Sequence, residues 1–253
     1  IEGPFINTQK RGMIQPGNVL RPDKNFLKKI IDICKGALKM MTVAPEIEGN
    51  LEIIRELVEN NIVASLGHTL CSYEKAIAGF DAGIPHVTHM FNAMRGLHHR
   101  EPGAAGAVLD DERVSAQMIC DGAHLSPAIV RLLMKIKGPD KIALITDSMS
   151  AAGLPDGIYI YDNLEYEAKD GLARYKDGTF IGTALTLNKM IKRLMEFTGI
   201  AIYDAVKTAS LTPAKILGID DKKGSLEAGK DADIAVMDKD FNVEFVVIKG
   251  EAQ

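Results

Sequence analysis

Short apolar or β-branched runs alternate with amphipathic helical patterns through most of this chain, and that alternation constrains its fold more than any other feature. The runs fall at 40–44, 62–67, 86–91, 114–121 and 141–147, with helical patterns near 23–35, 50–60, 72–82 and 126–137 between them. A chain that repeats strand and helix in this way covers a parallel sheet with its crossover helices, so the expected class is α/β, built from parallel βα units. The first helix illustrates the pattern: Phe26, Leu27, Ile30, Ile31 and Cys34 share one face at helical spacing. Ser126 followed by Pro127 reads as an N-cap and first helical position, and Gly138 as a left-handed C-cap.

Past residue 147 the rhythm changes. The stretch 156–182 is rich in Tyr, Asp and Gly with short alternating runs, which predicts a hairpin-bearing insertion, and helices resume at about 186–198 and 203–217. From 224 to 250 short strands are separated by turns and no helical period survives, which marks a small separate β element. The chain therefore divides at 1–217 and 218–253.

With 46% hydrophobic residues in 253, the chain can bury a sizeable core. The net charge is −4 and Lys and Arg are scattered, so no basic face exists for nucleic acid or an anionic membrane, and a small molecule is the expected partner. Cys34, Cys71 and Cys120 are odd in number and widely spaced, which points to a reduced, cytoplasmic setting. No run of about 18 apolar residues is present.

Two histidines stand at the C-terminal ends of predicted strands, His68 in Ser-Leu-Gly-His-Thr and His89 in Thr-His-Met-Phe-Asn. One βα repeat separates them, which puts both imidazoles on the rim where parallel α/β folds carry their sites. Such a pair suits a divalent transition metal, with a carboxylate as the usual third ligand of a hydrolytic centre. His86 opens its strand and faces the other rim, where a structural role is expected. His98 and His99 lie in a loop as surface or lid residues. Asp147 ends an apolar run and delivers a carboxylate to the same rim as His68 and His89, as a proton carrier; an Asp there is equally a helix N-cap. Glu2 precedes Gly3 and Pro4, which turn the chain directly after its carboxylate.

Six strings carry a resemblance in order along the chain: Ile-Glu-Gly-Pro-Phe-Ile-Asn at 1–7, Ser-Leu-Gly-His-Thr at 65–69, Thr-His-Met-Phe-Asn-Ala-Met at 88–94, Arg-Glu-Pro-Gly at 100–103, Asp-Gly-Ala-His at 121–124 and Thr-Asp-Ser-Met-Ser-Ala-Ala-Gly at 146–153. Together they resemble the N-acetylglucosamine-6-phosphate deacetylase family of the amidohydrolase superfamily. The resemblance implies a (β/α)8 TIM-type barrel, incomplete because the first two strands are absent, with a small C-terminal β-sandwich segment. It implies metal-dependent deacetylation of N-acetylglucosamine 6-phosphate, with Glu2, His68 and His89 holding one or two divalent ions (Zn, Fe, Mn or Co) and Asp147 as catalytic acid and base. Asn92, Ala93, Arg100 and His124 would contact the phosphosugar, and Ile181, Gly182 and Thr183 would lie over it. A homodimer is implied as well, with Arg100 reaching across.

The family's chains carry a small β domain and two barrel strands before Glu-Gly-Pro, so this chain alone is expected to leave a sheet edge open. The family's Lys-Gly-Ala-His is here Arg11-Gly12-Met13-Ile14, and Ile14 cannot donate a hydrogen bond to a substrate carbonyl. Two alternatives stay open: another N-acyl amidohydrolase, or a non-catalytic fragment that binds sugar phosphate.

Overall fold

A computed structural model describes residues 1–253, which divide into two compact units, Ile1–Gln117 and Met118–Gln253. In the first unit β1 (Met40–Val43), β2 (Val63–Leu66), β3 (His86–Val87) and the start of β4 (Ser115–Ile119) pair parallel, with Met41 opposite Ala64, Ser65 opposite His86, and His86 opposite Ser115. Apart from their first residues, β1 and β2 are buried, as expected of parallel strands covered on both faces.

Helices α1 (Lys24–Cys34), α2 (Asn50–Glu59) and α3 (Tyr73–Asp81) are the predicted ones. Asp23 caps α1 by accepting from the N–H groups of Asn25 and Phe26, and Ser72 caps α3. Leu27 from α1 and Ile53, Ile54 and Leu57 from α2 are buried; each such side chain contributes roughly 1.5–3 kcal/mol of apolar burial.

Two features of this unit differ from expectation. The regular register of β3 stops at Val87, because His89, Phe91 and Ala93 take positive φ (26°, 73° and 47°) and break the extended run, although Thr88 N–H still donates to Leu66 O (2.8 Å) and Met90 N–H to Gln117 O (2.9 Å). An additional helix, α4 (Gly103–Asp110), has no amphipathic period because residues 103–108 are all buried. Gly106 is required there, since a Cβ would stand 2.2 Å from Pro102 Cβ.

The boundary between the units falls inside β4. In the second unit β5 (Ile142–Ile145) completes a five-stranded parallel sheet of order β1-β2-β3-β4-β5. α5 (Pro127–Lys137) begins at Ser126, whose hydroxyl accepts from the Ile129 N–H, and ends at Gly138. Gly138 has positive φ (67°) but ψ of 172°, so it is not the left-handed cap expected.

The insertion is a four-stranded antiparallel sheet of β6 (Gly157–Tyr161), β7 (Leu164–Lys169), β8 (Leu172–Tyr175) and β9 (Phe180–Thr183), in that order. Its first two turns, Asp162-Asn163 and Asp170-Gly171, have positive φ at both residues, the two-residue geometry that matches strand twist. α6 (Leu187–Thr198) follows, then α7 (Ile202–Ala209) and α8 (Leu211–Ile216). These last two replace the single helix expected at 203–217, because Ser210 (φ −135°, ψ −77°) breaks the run ahead of Pro213. The segment expected as part of a β-sandwich is one antiparallel sheet, β10 (Ile234–Met237), β11 (Val243–Ile248) and β12 (Glu251–Ala252).

Candidate metal centre

Glu2 is placed by an extended segment that runs parallel to β1 in the next strand position. Thr42 N–H donates to Ile1 O (2.9 Å), Ala44 N–H donates to Phe5 O (3.1 Å), and Glu2 bridges Thr42. Buried Asn50 locks this join by donating from Nδ2 to Phe5 O (2.8 Å) and Ala44 O (2.7 Å). The carboxylate of Glu2 thus arrives at the C-terminal end of the parallel strands, beside β1.

His68 follows β2 through Gly67, where a Cβ would meet Thr42 Cγ2 at 2.7 Å and Thr88 Cβ at 2.9 Å. His89 follows β3, and its N–H donates to Gln117 Oε1 (3.2 Å). Both imidazoles are buried, with rings at 73° and centroids 4.8 Å apart. His68 (φ 48°), His89 (φ 26°) and Asp147 (φ 48°) all hold positive φ. For non-glycine residues that conformation costs on the order of 1–3 kcal/mol, and it clusters where strand ends are bent to serve a site.

The three side chains converge. Glu2 Oε1 stands 2.9 Å from His68 Nε2 and 2.9 Å from His89 Nε2, and the two Nε2 atoms are 3.0 Å apart. His68 Nδ1–H donates to Lys10 O (2.6 Å). In the neutral ring this leaves a lone pair on Nε2 pointing at the Glu2 carboxylate. Two acceptors in contact need a cation or a proton between them. Tetrahedral donors at 2.0–2.2 Å from a zinc ion stand about 3.3–3.5 Å from one another, slightly wider than the observed triangle. One carboxylate oxygen and two imidazole nitrogens within 4.8 Å therefore fit a divalent cation. Burial pushes the Glu2 carboxyl up, but where protons on the Nε2 atoms stand in for a cation, the hydrogen bonds and charges of His68 and His89 outweigh it and hold the group ionised, well below the usual carboxylate range.

His86 stays apart from this cluster. It is buried in β3 with Nδ1 2.7 Å from Ser115 Oγ, and burial pushes it down to about 3, which fits the structural role expected. Ala93 O accepts from Thr69 N–H (3.0 Å), beside His68, while Asn92 Nδ2 donates back to Met90 O (3.2 Å). Arg100 is exposed, and its N–H donates to Nδ1 of exposed His98, whose ring lies 4.3 Å from that of His99. Ile14 sits in a turn, its N–H donating to Arg11 O (3.1 Å) and its O accepting from Arg11 Nη1 (2.6 Å).

Within the second unit Asp147 follows β5 and is exposed. Its backbone is gripped by β9: Thr183 N–H donates to Asp147 O (2.9 Å), Met149 N–H donates to Thr183 O (2.8 Å), and Thr183 Oγ1 donates to Thr146 O (2.7 Å). Ile181, Gly182 and Thr183 are buried along this join. Buried Tyr166 supports the next turn, its hydroxyl accepting from Ala151 N–H at 3.2 Å. His124 Nδ1–H donates to Asp121 Oδ2 (2.5 Å), and its ring lies 5.0 Å from that of Phe180. Burial pushes Asp121 up, but the His124 side chain and the Ala123 and His124 N–H groups lower it overall.

Sequence reasoning missed Glu46 and the partner role of Asp121. Asp121 was visible in the string Asp-Gly-Ala-His. Glu46, three residues past β1, carries the same signal as Asp147, a carboxylate just beyond a buried strand.

Residues 21–252 match the model of the amidohydrolase family. The chain is 36% identical to the N-acetylgalactosamine-6-phosphate deacetylase of Escherichia coli O157:H7, with 99% of this chain and 66% of that protein aligned. It is 38% identical to the N-acetylglucosamine-6-phosphate deacetylase of Bacillus subtilis (strain 168), with 99% and 63% aligned. The chain thus spans just under two thirds of the length of these curated relatives. The solved N-acetylglucosamine-6-phosphate deacetylase of Thermotoga maritima superposes with a TM-score of 0.91 at 37% identity, covering 99% of this chain and 68% of that one. A mutant of the Mycobacterium smegmatis deacetylase in complex with N-acetyl-D-glucosamine-6-phosphate gives 0.94 at 37% identity, covering 99% and 67%.

Proposed function

The chain belongs to the amidohydrolase family, and from that premise we propose that the whole protein hydrolyses the acetamide of N-acetylglucosamine 6-phosphate to glucosamine 6-phosphate and acetate. The observation that carries the reading is the meeting of the Glu2 carboxylate with His68 Nε2 and His89 Nε2 at 2.9 Å each. Glu2, His68 and His89 are the residues that would hold a divalent cation, Zn, Fe, Mn or Co. The chemistry such an ion supplies when bound is polarisation of an amide carbonyl and acidification of water.

The chain's own residues do the rest. Lys10 O keeps the proton of His68 on Nδ1, so its Nε2 stays a donor of electrons. Asp147 takes a proton from the attacking water and delivers it to the amine nitrogen, which cannot depart as an anion. Arg100 meets the phosphate with its fork of donors. Asn92, Ala93 and His124 orient the sugar, and Ile181, Gly182 and Thr183 form the wall beside Asp147. Residues 1–217 form the hydrolase part and 218–253 a C-terminal β segment. The protein works as a cytoplasmic homodimer.

Acetate release from N-acetylglucosamine 6-phosphate by the full-length protein tests this. Chelator abolishes it, added metal restores it, and Asp147→Asn lowers kcat by about 10²–10⁴. No release from the metal-loaded protein would defeat the proposal. The relative from Escherichia coli favours a second reading, the 4-epimer N-acetylgalactosamine 6-phosphate; the ratio of kcat/KM for the two sugars decides between them.

A further inference from the structure

Glu46 lies half-buried in the turn after β1 and belongs to none of the groups assigned above. Its carboxylate nevertheless accepts three hydrogen bonds from two other segments. Oε1 takes the Asn7 Nδ2–H (2.9 Å) and the Leu70 N–H (2.7 Å), and Oε2 takes the Thr69 hydroxyl (2.5 Å).

These donors sit just past the groups that converge at the metal centre. Asn7 follows Glu2 by five residues, and its N–H donates to His68 O (2.9 Å). Thr69 follows His68 directly, and its N–H donates to Ala93 O (3.0 Å), four residues past His89. The Thr69 hydroxyl also accepts from Cys71 N–H (3.0 Å). One carboxylate is thereby tied to the segment after Glu2 and the segment after His68, and through Thr69 to the segment after His89.

The two histidines need such an anchor. Glu2 is held by its bridge to Thr42, but His68 and His89 stand two residues past Leu66 and Val87, the last residues in regular register, and both take positive φ, so the strand ladder does not extend to them. The three electron-rich atoms repel one another until a cation enters, so loops free to spread would lose the triangle. Holding a metal calls for ligands placed within about 0.5 Å. An ionised carboxylate answering three donors makes charge-assisted bonds, roughly twice as strong as neutral ones.

We propose that Glu46 is a positioning residue that preorganises Glu2, His68 and His89 for the cation by clamping the loops that follow them. The inference rests on the metal-centre reading above. Zinc affinity of the full-length protein, measured by competition with a colorimetric chelator, tests it alongside urea unfolding of the metal-free forms. Glu46→Ala is expected to weaken zinc binding by about 10–100-fold. Glu46→Gln keeps an acceptor for Asn7 and Leu70 and recovers most of the loss, and Thr69→Val falls between. A merely structural Glu46 would lower the urea midpoint and leave the zinc Kd of the folded protein unchanged. Zinc affinity of Glu46→Ala within about twofold of wild type overturns the proposal; if that variant does not fold, the same result for both Glu46→Gln and Thr69→Val overturns it. Wild-type protein that takes up no zinc brings down the metal centre itself and this inference with it. Wild-type binding with indifferent variants sinks only the role of Glu46.

Discussion

Gly182→Ala tests how tightly β9 holds Asp147. A Cβ built on Gly182 stands 2.4 Å from Asp147 O, where Cβ contacts do not close below 3.0 Å, so the two backbones must part by about 0.6 Å. The gap opens in the join that carries Thr183 N–H to Asp147 O and Met149 N–H to Thr183 O. Loss of these bonds removes roughly 1 kcal/mol each. Gly182 also has φ of 132°, where a side chain adds strain of about 1–3 kcal/mol. The expected destabilisation is about 3–5 kcal/mol, read as a lower urea midpoint with an unchanged slope. On the role proposed for Asp147, misplacing its carboxylate by about 1 Å can lower the rate by 10²-fold, so the proposed acetate release should fall by roughly 10–100-fold. Zinc affinity should stay at the wild-type value, since Glu2, His68 and His89 lie in the first unit. A Gly182→Ala protein that loses less than about 1 kcal/mol and keeps full activity would refute the role given to this join.

Tyr166→Phe removes the buried hydroxyl that accepts from Ala151 N–H and pairs with Ser150 Oγ (3.1 Å), and should lower stability by about 1–3 kcal/mol in urea unfolding. His86 makes folding pH-dependent: its folded form is pushed down to about 3 from the ordinary 6.5, so the unfolded chain binds a proton that the folded chain refuses. Its contribution is fully present above pH 6.5 and is lost as pH falls toward 3, by up to about 1.4 kcal/mol per unit, and His86→Leu should flatten that slope in urea titrations from pH 6 to 4.

Much of the parallel sheet was legible because its strands are buried runs bounded by capped helices; Asp23, Ser72 and Ser126 each cap the helix they precede. His68 and His89 could be separated from His86 because strand ends and strand starts face opposite rims. α4 could not be read, since a helix buried on nearly every side has no polar face to set a period. The early end of the regular β3 ladder was hidden too, because positive φ is uncommon for residues other than glycine and nothing in the run 86–91 signals it at His89 and Phe91. Glu46 looked like any carboxylate in a turn until folding brought Asn7, Thr69 and Leu70 around it. The exposure of Asp147 was likewise a property of the surrounding chain, not of its own strand.

Anomalous diffraction at the zinc edge, from crystals of the full-length protein loaded with zinc, tests the central claim most directly. The account predicts a peak about 2.0–2.2 Å from a Glu2 carboxylate oxygen, His68 Nε2 and His89 Nε2. Ordered side chains at all three positions with no peak between them, in protein that still releases acetate, would contradict it.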